Sequence, residues 1–241
     1  MELKILTGFY NAEKYIERCL KSIQSQTYKN FICYITHDLS TDKSKEIVEK
    51  FIKDDDRFIL VKDYHKKLYQ TGNFDKTIRF NENIKDTDVI IEVDGDDFLP
   101  DSQVFARIAE IYKNSKVWIA NGSFVYSNGQ FGFSQKQKGF DNLRTIRFTA
   151  SHIRTWRAFL WRAIKEEDLR DANGDYWQWS GDLCFMYPML EMSGEEHYTF
   201  MPEINYVYNG ENPLNEHKLD MHMVNNHAYL IRNKTPYKRI N

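Results

Sequence analysis

Apolar positions recur in two rhythms along this chain. Leu3, Ile5 and Leu6 open a strand-like run, Leu3–Phe9, and Phe31–Thr36 and Phe58–Val61 repeat it. Between these runs Ile16, Cys19, Leu20 and Ile23 recur at i, i+3, i+4 and i+7, the spacing of a helix packed on one face. Asn11 reads as the N-cap of that helix, with Glu13 in its first turn. Ile47, Val48, Phe51 and Ile52 mark a second helix. A polar stretch, 62–88, then leads to Val89, Ile90, Ile91 and Val93, a continuous apolar run that reads as a buried strand. The order β-α-β-α-β, a helix or loop, then β predicts a parallel sheet with helices on its faces.

The rhythm weakens beyond Pro100. Val104, Ile108, Ile111 and Tyr112 predict a helix, and Val117–Ala120 a strand. Ser127-Asn128-Gly129 reads as a turn between Phe124–Tyr126 and Phe131–Phe133. Thr155–Lys165 is predicted helical, and Asn173-Gly174 is a turn. Leu183, Met186, Tyr187 and Leu190 predict a helix that Pro188 should kink or shift. Ile204–Tyr208 is strand-like. Met221, Val224, Ala228 and Ile231 give a last helix before a basic tail, Lys234–Arg239. Glu191, Glu195 and Glu196 look like a solvated helix end and loop. No stretch has the composition of a linker, so the whole chain, 1–241, is read as one domain.

Composition narrows the classes. With 241 residues, 41% apolar and 15% aromatic, the chain can bury a full core. A formal charge of −2 argues against a dedicated nucleic-acid binder. Cys19, Cys33 and Cys184 lack metal-type spacing and suggest reduced thiols. The first residues begin a strand rather than a signal peptide. No apolar run reaches the roughly 20 residues that span a bilayer. A cytoplasmic protein is expected, able to work at a membrane surface through its basic tail.

The candidate chemistry follows the central apolar run. Asp94, Asp96 and Asp97 crowd around Gly95 at the end of that strand. The carboxyl ends of such strands form the ligand crevice of open α/β sheets. Acids packed this closely repel, and Mg²⁺ or Mn²⁺ is the natural neutraliser. The plainer reading is an acidic loop that caps the next helix through Asp101 or Ser102. Neither G-x-G-x-x-G nor G-x-x-x-x-G-K-[ST] occurs, so a metal and scattered cations would have to hold any phosphate. Lys76 and Arg79 are candidates for that task. His152-Ile153-Arg154-Thr155-Trp156-Arg157 is a dense donor cluster, suited to acceptor hydroxyls or equally to a solvated basic face. Trp177 and Trp179 could offer faces to a sugar ring or simply fill the core.

Three motifs now carry a resemblance. Tyr10-Asn11 with the stretch from Leu20 to Phe31, then Asp38-Leu39-Ser40-Thr41-Asp42, then Asp94-Gly95-Asp96-Asp97, resemble in order and spacing the family-2 glycosyltransferases. The resemblance covers about the first hundred residues. It implies the GT-A fold: an α/β, Rossmann-like nucleotide-sugar-binding sandwich with a mainly parallel central sheet and a C-terminal acceptor-binding extension. Residues 1–101 would then be the nucleotide and metal half, and 102–241 the acceptor and catalytic-base half. The implied roles fall on Gly8 and Phe9 at the nucleoside, Asp38 at the base, and Asp94, Asp96 and Asp97 at ribose, metal and diphosphate. Family members take a general base from a carboxylate at a helix start. Asp182, ending Trp177-Gln178-Trp179-Ser180-Gly181-Asp182, has that place, although an acid there also suits the helix dipole.

By the same resemblance His217 is a candidate third metal ligand, with His222 behind it, and Lys218 could meet the diphosphate. His37 stands where the family often has an acid, and Leu39 where it often has Gly. Leu39 resists a positive φ, which predicts an altered turn. The implied activity is metal-dependent, inverting sugar transfer from a nucleotide sugar to a glycan or lipid-linked acceptor. The donor would be UDP-linked most often, with GDP- and dTDP-sugars open. A nucleotidyltransferase and a non-catalytic carbohydrate-binding protein on the same scaffold are the competing readings.

Overall fold

The computed structural model describes residues 1–240. Among these residues, seven strands form one sheet in the order β3-β2-β1-β4-β6-β5-β7. β1 (Leu3–Phe9), β2 (Phe31–His37), β3 (Phe58–Leu60) and β4 (Val89–Glu92) run parallel. β6 (Arg154–Arg157) runs antiparallel to both β4 and β5 (Ile119–Tyr126). β7 (Tyr198–Tyr208) closes the far edge parallel to β5. The sheet is thus mostly parallel and mixed α/β, as expected.

Alternation along the strands explains the two cores. Leu3, Ile5, Val89, Ile91 and Val93 point to one face, where they meet α1 (Ile16–Gln24), α2 (Ser44–Phe51) and α4 (Val104–Tyr112). Leu6 and Ile90 point to the other, under α3 (Tyr69–Phe80), α5 (Ala158–Arg162) and α6 (Gly181–Ser193). α7 (Glu216–Leu219) and α8 (Met221–Arg232) follow β7. The C-terminal ends of β1 and β2 lie level, Phe9 opposite His37. The chain leaving β4 stays in register, with Val93 N–H on the Leu6 carbonyl and Gly95 N–H on that of Gly8.

Several expectations are corrected. α1 begins at Ile16, not after Asn11. Asn11 instead adopts φ 47° and its Oδ1 accepts the Thr41 N–H at 2.7 Å, tying two loops together. Thr155–Lys165 is not one helix. The exposed edge of β4 needs a partner, and Thr155 and Trp156 supply it as strand β6 before α5 starts at Ala158. The expected hairpin after Gly129 shrinks to a single bridge, Val125 to Phe131. α6 continues through Pro188 undivided. Glu191 is not solvated: it is buried, in a two-pronged ion pair with Arg144 at 2.5 and 2.9 Å. Within the basic tail, Lys234 donates to the Glu167 and Arg170 carbonyls, while Arg239 stays exposed and pairs with the exposed Asp141. Among the described residues no helix is long and apolar enough to cross a membrane.

Candidate active site

The acid turn sits where β1 and β4 end. Gly95 is there because a Cβ would come within 2.8 Å of the Gly8 carbonyl oxygen and of the Phe9 Cβ. That close approach packs the turn onto Gly8-Phe9 and forces three carboxylates into one place. Asp97 is buried, and its Oδ1 accepts the Asn209 N–H at 2.6 Å. Its Oδ2 is buried with no partner. Burial, with Asp96 and Asp94 beside it, pushes Asp97 well above the usual carboxylate range. Burial and Asp94 likewise push Asp96 up to about 6, although its Oδ2 accepts from Asn212 Nδ2 at 2.6 Å. Asp94 behaves oppositely. Burial would raise it, but His152, Arg154 and Gln70 outweigh burial and hold it low.

Asp94, Asp97 and His152 each offer one ligand atom, all within 4.8 Å of one another. Two carboxylate oxygens and an imidazole nitrogen form a donor set that suits a divalent cation. The unpartnered Oδ2 of Asp97 fits the same use, since a buried lone acceptor is costly unless something meets it. The histidine brought to the acids is therefore His152, not the predicted His217. His217 lines the same cleft, outside this group.

Asp182 lies in the first turn of α6 and faces the cleft with 29% of its side chain exposed. Its Oδ2 accepts from Arg154 at 2.6 Å, and Arg154 also donates to Glu92 Oε1 at 3.0 Å and approaches His152 Nε2 at 3.1 Å. Arg154 was expected to meet an acceptor. Instead it is buried and spent on Glu92 and Asp182, which fixes the carboxylate in place. Glu92 is wholly buried, which pushes it up, while Arg154's charge opposes. Strand pairing makes this contact: Ile91 opposite Thr155 sets Arg154 beside the next residue, Glu92. Of the two tryptophans, Trp177 is buried, with its Nε1 donating to the Asp168 carbonyl, and Trp179 is half-buried; both border the cleft.

At the other end Gly8, Phe9 and Asp38 line the cleft as expected. Asp38 Oδ1 accepts from the Leu68 and Tyr69 N–H groups at 2.9 and 3.2 Å and from Asn73 Nδ2 at 3.0 Å. It thereby caps α3 from a distance. Leu39 does take a positive φ, 60°, so the turn keeps the shape glycine would give and carries the strain instead. Lys76 and Arg79 are not brought to the cleft. Arg79 pairs with Asp75 and donates to the Arg162 and Ile164 carbonyls, and Lys76 lies over Phe80. Lys218 is exposed and does not line the cleft. The cation at this end is Lys67, 3.3 Å from the centre of the Tyr10 ring.

One turn of α3 touches both the acid turn and Asp38. Gln70 donates to Asp94, and Asn73 to Asp38. A Cβ on Gly72 would stand 2.4 Å from the Tyr176 ring, whose hydroxyl donates to buried Asp75 at 2.9 Å. Glu92, Gln70, Tyr206, Asn212 and Lys67 were all missed in the sequence. Glu92 alone carried a signal, as a lone acid inside an apolar strand.

The cleft holds about 690 Å³ and runs from Asp38 past the acid turn to Asp182. Sheet order, acid turn and cleft together define the GT-A class of nucleotide-sugar-handling folds. The chain belongs to the Glycosyl transferase family 2, whose model matches residues 5–168. It is 45% identical over 58 residues to the teichoic acid poly(glycerol phosphate) polymerase of Staphylococcus epidermidis, a match covering 24% of this chain and 8% of that one. Its fold resembles S. aureus TarS 1-349 solved with UDP-GlcNAc, at TM-score 0.66 and 17% identity over 88% of this chain and 59% of that one. It also resembles mannosyltransferase PcManGT from Pyrobaculum calidifontis, solved with GDP-Man and Mn²⁺, at TM-score 0.63 and 15% identity, covering 98% and 66%.

Proposed function

We propose that the chain is a divalent-metal-dependent, inverting glycosyltransferase that moves a sugar from a nucleoside-diphosphate donor to a hydroxyl of a glycan or lipid-linked acceptor. The observation that carries this reading is the placement of Asp182 in one cleft with the acid turn, its carboxylate held by Arg154. Asp182 takes the proton from the acceptor hydroxyl as its oxygen attacks the anomeric carbon and the bond to the diphosphate breaks. A Mg²⁺ or Mn²⁺ on Asp94, Asp97 and His152, with Asp96 at hand, would neutralise the charge of the departing diphosphate. Residues 1–101 serve as the donor half and 102–241 as the acceptor half.

Asp38 favours a pyrimidine donor. Three donors converge on its Oδ1, so Oδ2 is left for the base. One free oxygen suits the single ring N–H of uracil or thymine better than the adjacent N–H groups of guanine. Lys67 supplies positive charge at that end. TarS bound to UDP-GlcNAc supports the uridine choice, and PcManGT with Mn²⁺ supports the metal.

Thermal shift with UDP, GDP and dTDP, with and without Mn²⁺, tests the reading in wild type and Asp94→Asn. Stabilisation by one nucleotide, dependent on Mn²⁺ and lost in Asp94→Asn, is expected. At 100 times its dissociation constant a ligand adds about 2.7 kcal/mol. If no nucleotide stabilises the wild type at any metal concentration, the proposal fails.

A further inference from the structure

The cleft does not end at Asp182. A ridge of aromatic rings leads away from the acid turn. It begins at His152, whose ring lies 5.6 Å from Tyr208 and 5.8 Å from Phe124. Tyr126 follows, 5.3 Å from Phe124 and 5.7 Å from Tyr208, and Phe133 sits edge-on to Phe124 at 5.7 Å. Phe133 is 43% exposed and lines the cleft. Beyond Tyr126 and His217, which border both, lies a second cavity of about 170 Å³. Its other lining residues, Ser127, Asn128, Gln130 and Glu211 with Gly210, put polar groups beside apolar surface.

We propose that this ridge and notch are an acceptor subsite for a glycan of at least two sugar residues. The proposal rests on the transferase reading for the sugar that lies next to Asp182. A pyranose has an apolar C–H face and a rim of hydroxyls. The exposed ring of Phe133 and the half-buried rings of Tyr126 and Tyr208 match the former, and the amide, hydroxyl and carboxylate groups of the notch match the latter. An acyl chain would match the rings but leave the notch's polar groups desolvated without partners. His217 thereby acquires a place: it divides cleft from notch, where it can meet a hydroxyl from either side.

The test uses printed arrays of defined mono- to hexasaccharides, followed by titration of the best probe. Vesicles of phosphatidylcholine and phosphatidylglycerol run alongside. Oligosaccharides should bind at least about tenfold tighter than the matching monosaccharide, and Phe133→Ala should lose about tenfold. Asn128→Ala and Gln130→Ala, both on the exposed turn, should weaken only the longer probes. Phe131→Ala is the control, because Phe131 is 80% exposed yet lines neither cavity. Equal affinity for short and long probes overturns the proposal. So does equal loss in Phe131→Ala and Phe133→Ala, binding to vesicles in place of glycans, or no glycan binding. Should Phe133→Ala melt early, Gln130→Ala decides. Nucleotide stabilisation without glycan binding removes the subsite alone. Glycan binding without nucleotide stabilisation removes the transferase reading and leaves the groove.

Discussion

Residues 1–101 and 102–240 build their shares of the site by different means. In the first region four parallel strands end at one edge, and main-chain register alone brings Gly8, Phe9 and the acid turn together. In the second, β6 has only four residues and 127–153 contain no helix or strand. There buried side-chain ties replace register: Arg154 holds Asp182, Arg144 holds Glu191, and Tyr176 reaches back to Asp75. A site can thus rest on backbone geometry at one end and on paired charges at the other. The two ends should fail differently when perturbed.

The largest effect is expected at Asp182. Asp182→Asn should lower transfer by about 10²–10⁴-fold, with only a small fall in the urea midpoint because Arg154 keeps Glu92 as a partner. Near-full activity in that variant would remove the residue from its role. Arg154→Met strikes the same end through stability. It leaves Glu92 buried without a partner, at a cost of about 3–5 kcal/mol in urea unfolding. Adding Glu92→Gln should recover part of that loss, and no recovery would mean the pair is not what anchors the strand. Gly72→Ala probes the join between regions. Its Cβ must displace the Tyr176 ring, costing about 1–3 kcal/mol. A larger loss of transfer than of nucleotide affinity would show that the donor end tolerates the shift and the base end does not.

The smallest effect belongs to the first region. Arg57, hydrogen-bonded to Asp55 at 2.5 and 2.8 Å, holds that carboxyl down at about 2. Its unfolded value lies near 3.9, so the pair's contribution is present above about pH 4 and lost as pH falls toward 2. Arg57→Ala should flatten this part of the acid-unfolding curve. An unchanged slope between pH 4 and 2 would show that other carboxylates set it.

The same contrast explains what could be read from the sequence. The parallel half was legible because Val89–Val93 is too apolar to be anything but a buried strand and its acids follow at once. Asp38 and Gly8 followed from the resemblance of their motifs to the family-2 glycosyltransferases. His152 was legible as a polar group but not as the neighbour of Asp94, since nothing local says that β6 pairs with β4. Thr155–Lys165 misled because four strand residues leave too short an alternation to outweigh the helix that follows. Arg79, Lys76 and Lys218 were plausible cations whose partners were settled by packing, which spacing does not record. Glu92 was visible and passed over: a charge inside an apolar run demands an opposite charge from elsewhere in the chain.

The bond from the Asn209 N–H to Asp97 joins residues 112 apart in the chain. Asp94 depends in the same way on the hydroxyl of Tyr206, and Phe98 on the main chain of Val207. During synthesis at roughly 5–20 residues per second, the acid turn leaves the ribosome on the order of 6–20 s before these partners exist. For that interval Asp97 lacks the Asn209 N–H that meets its Oδ1 in the folded chain. The nascent chain can complete its parallel strands early, but the proposed reaction centre is among the last parts of the molecule to be assembled.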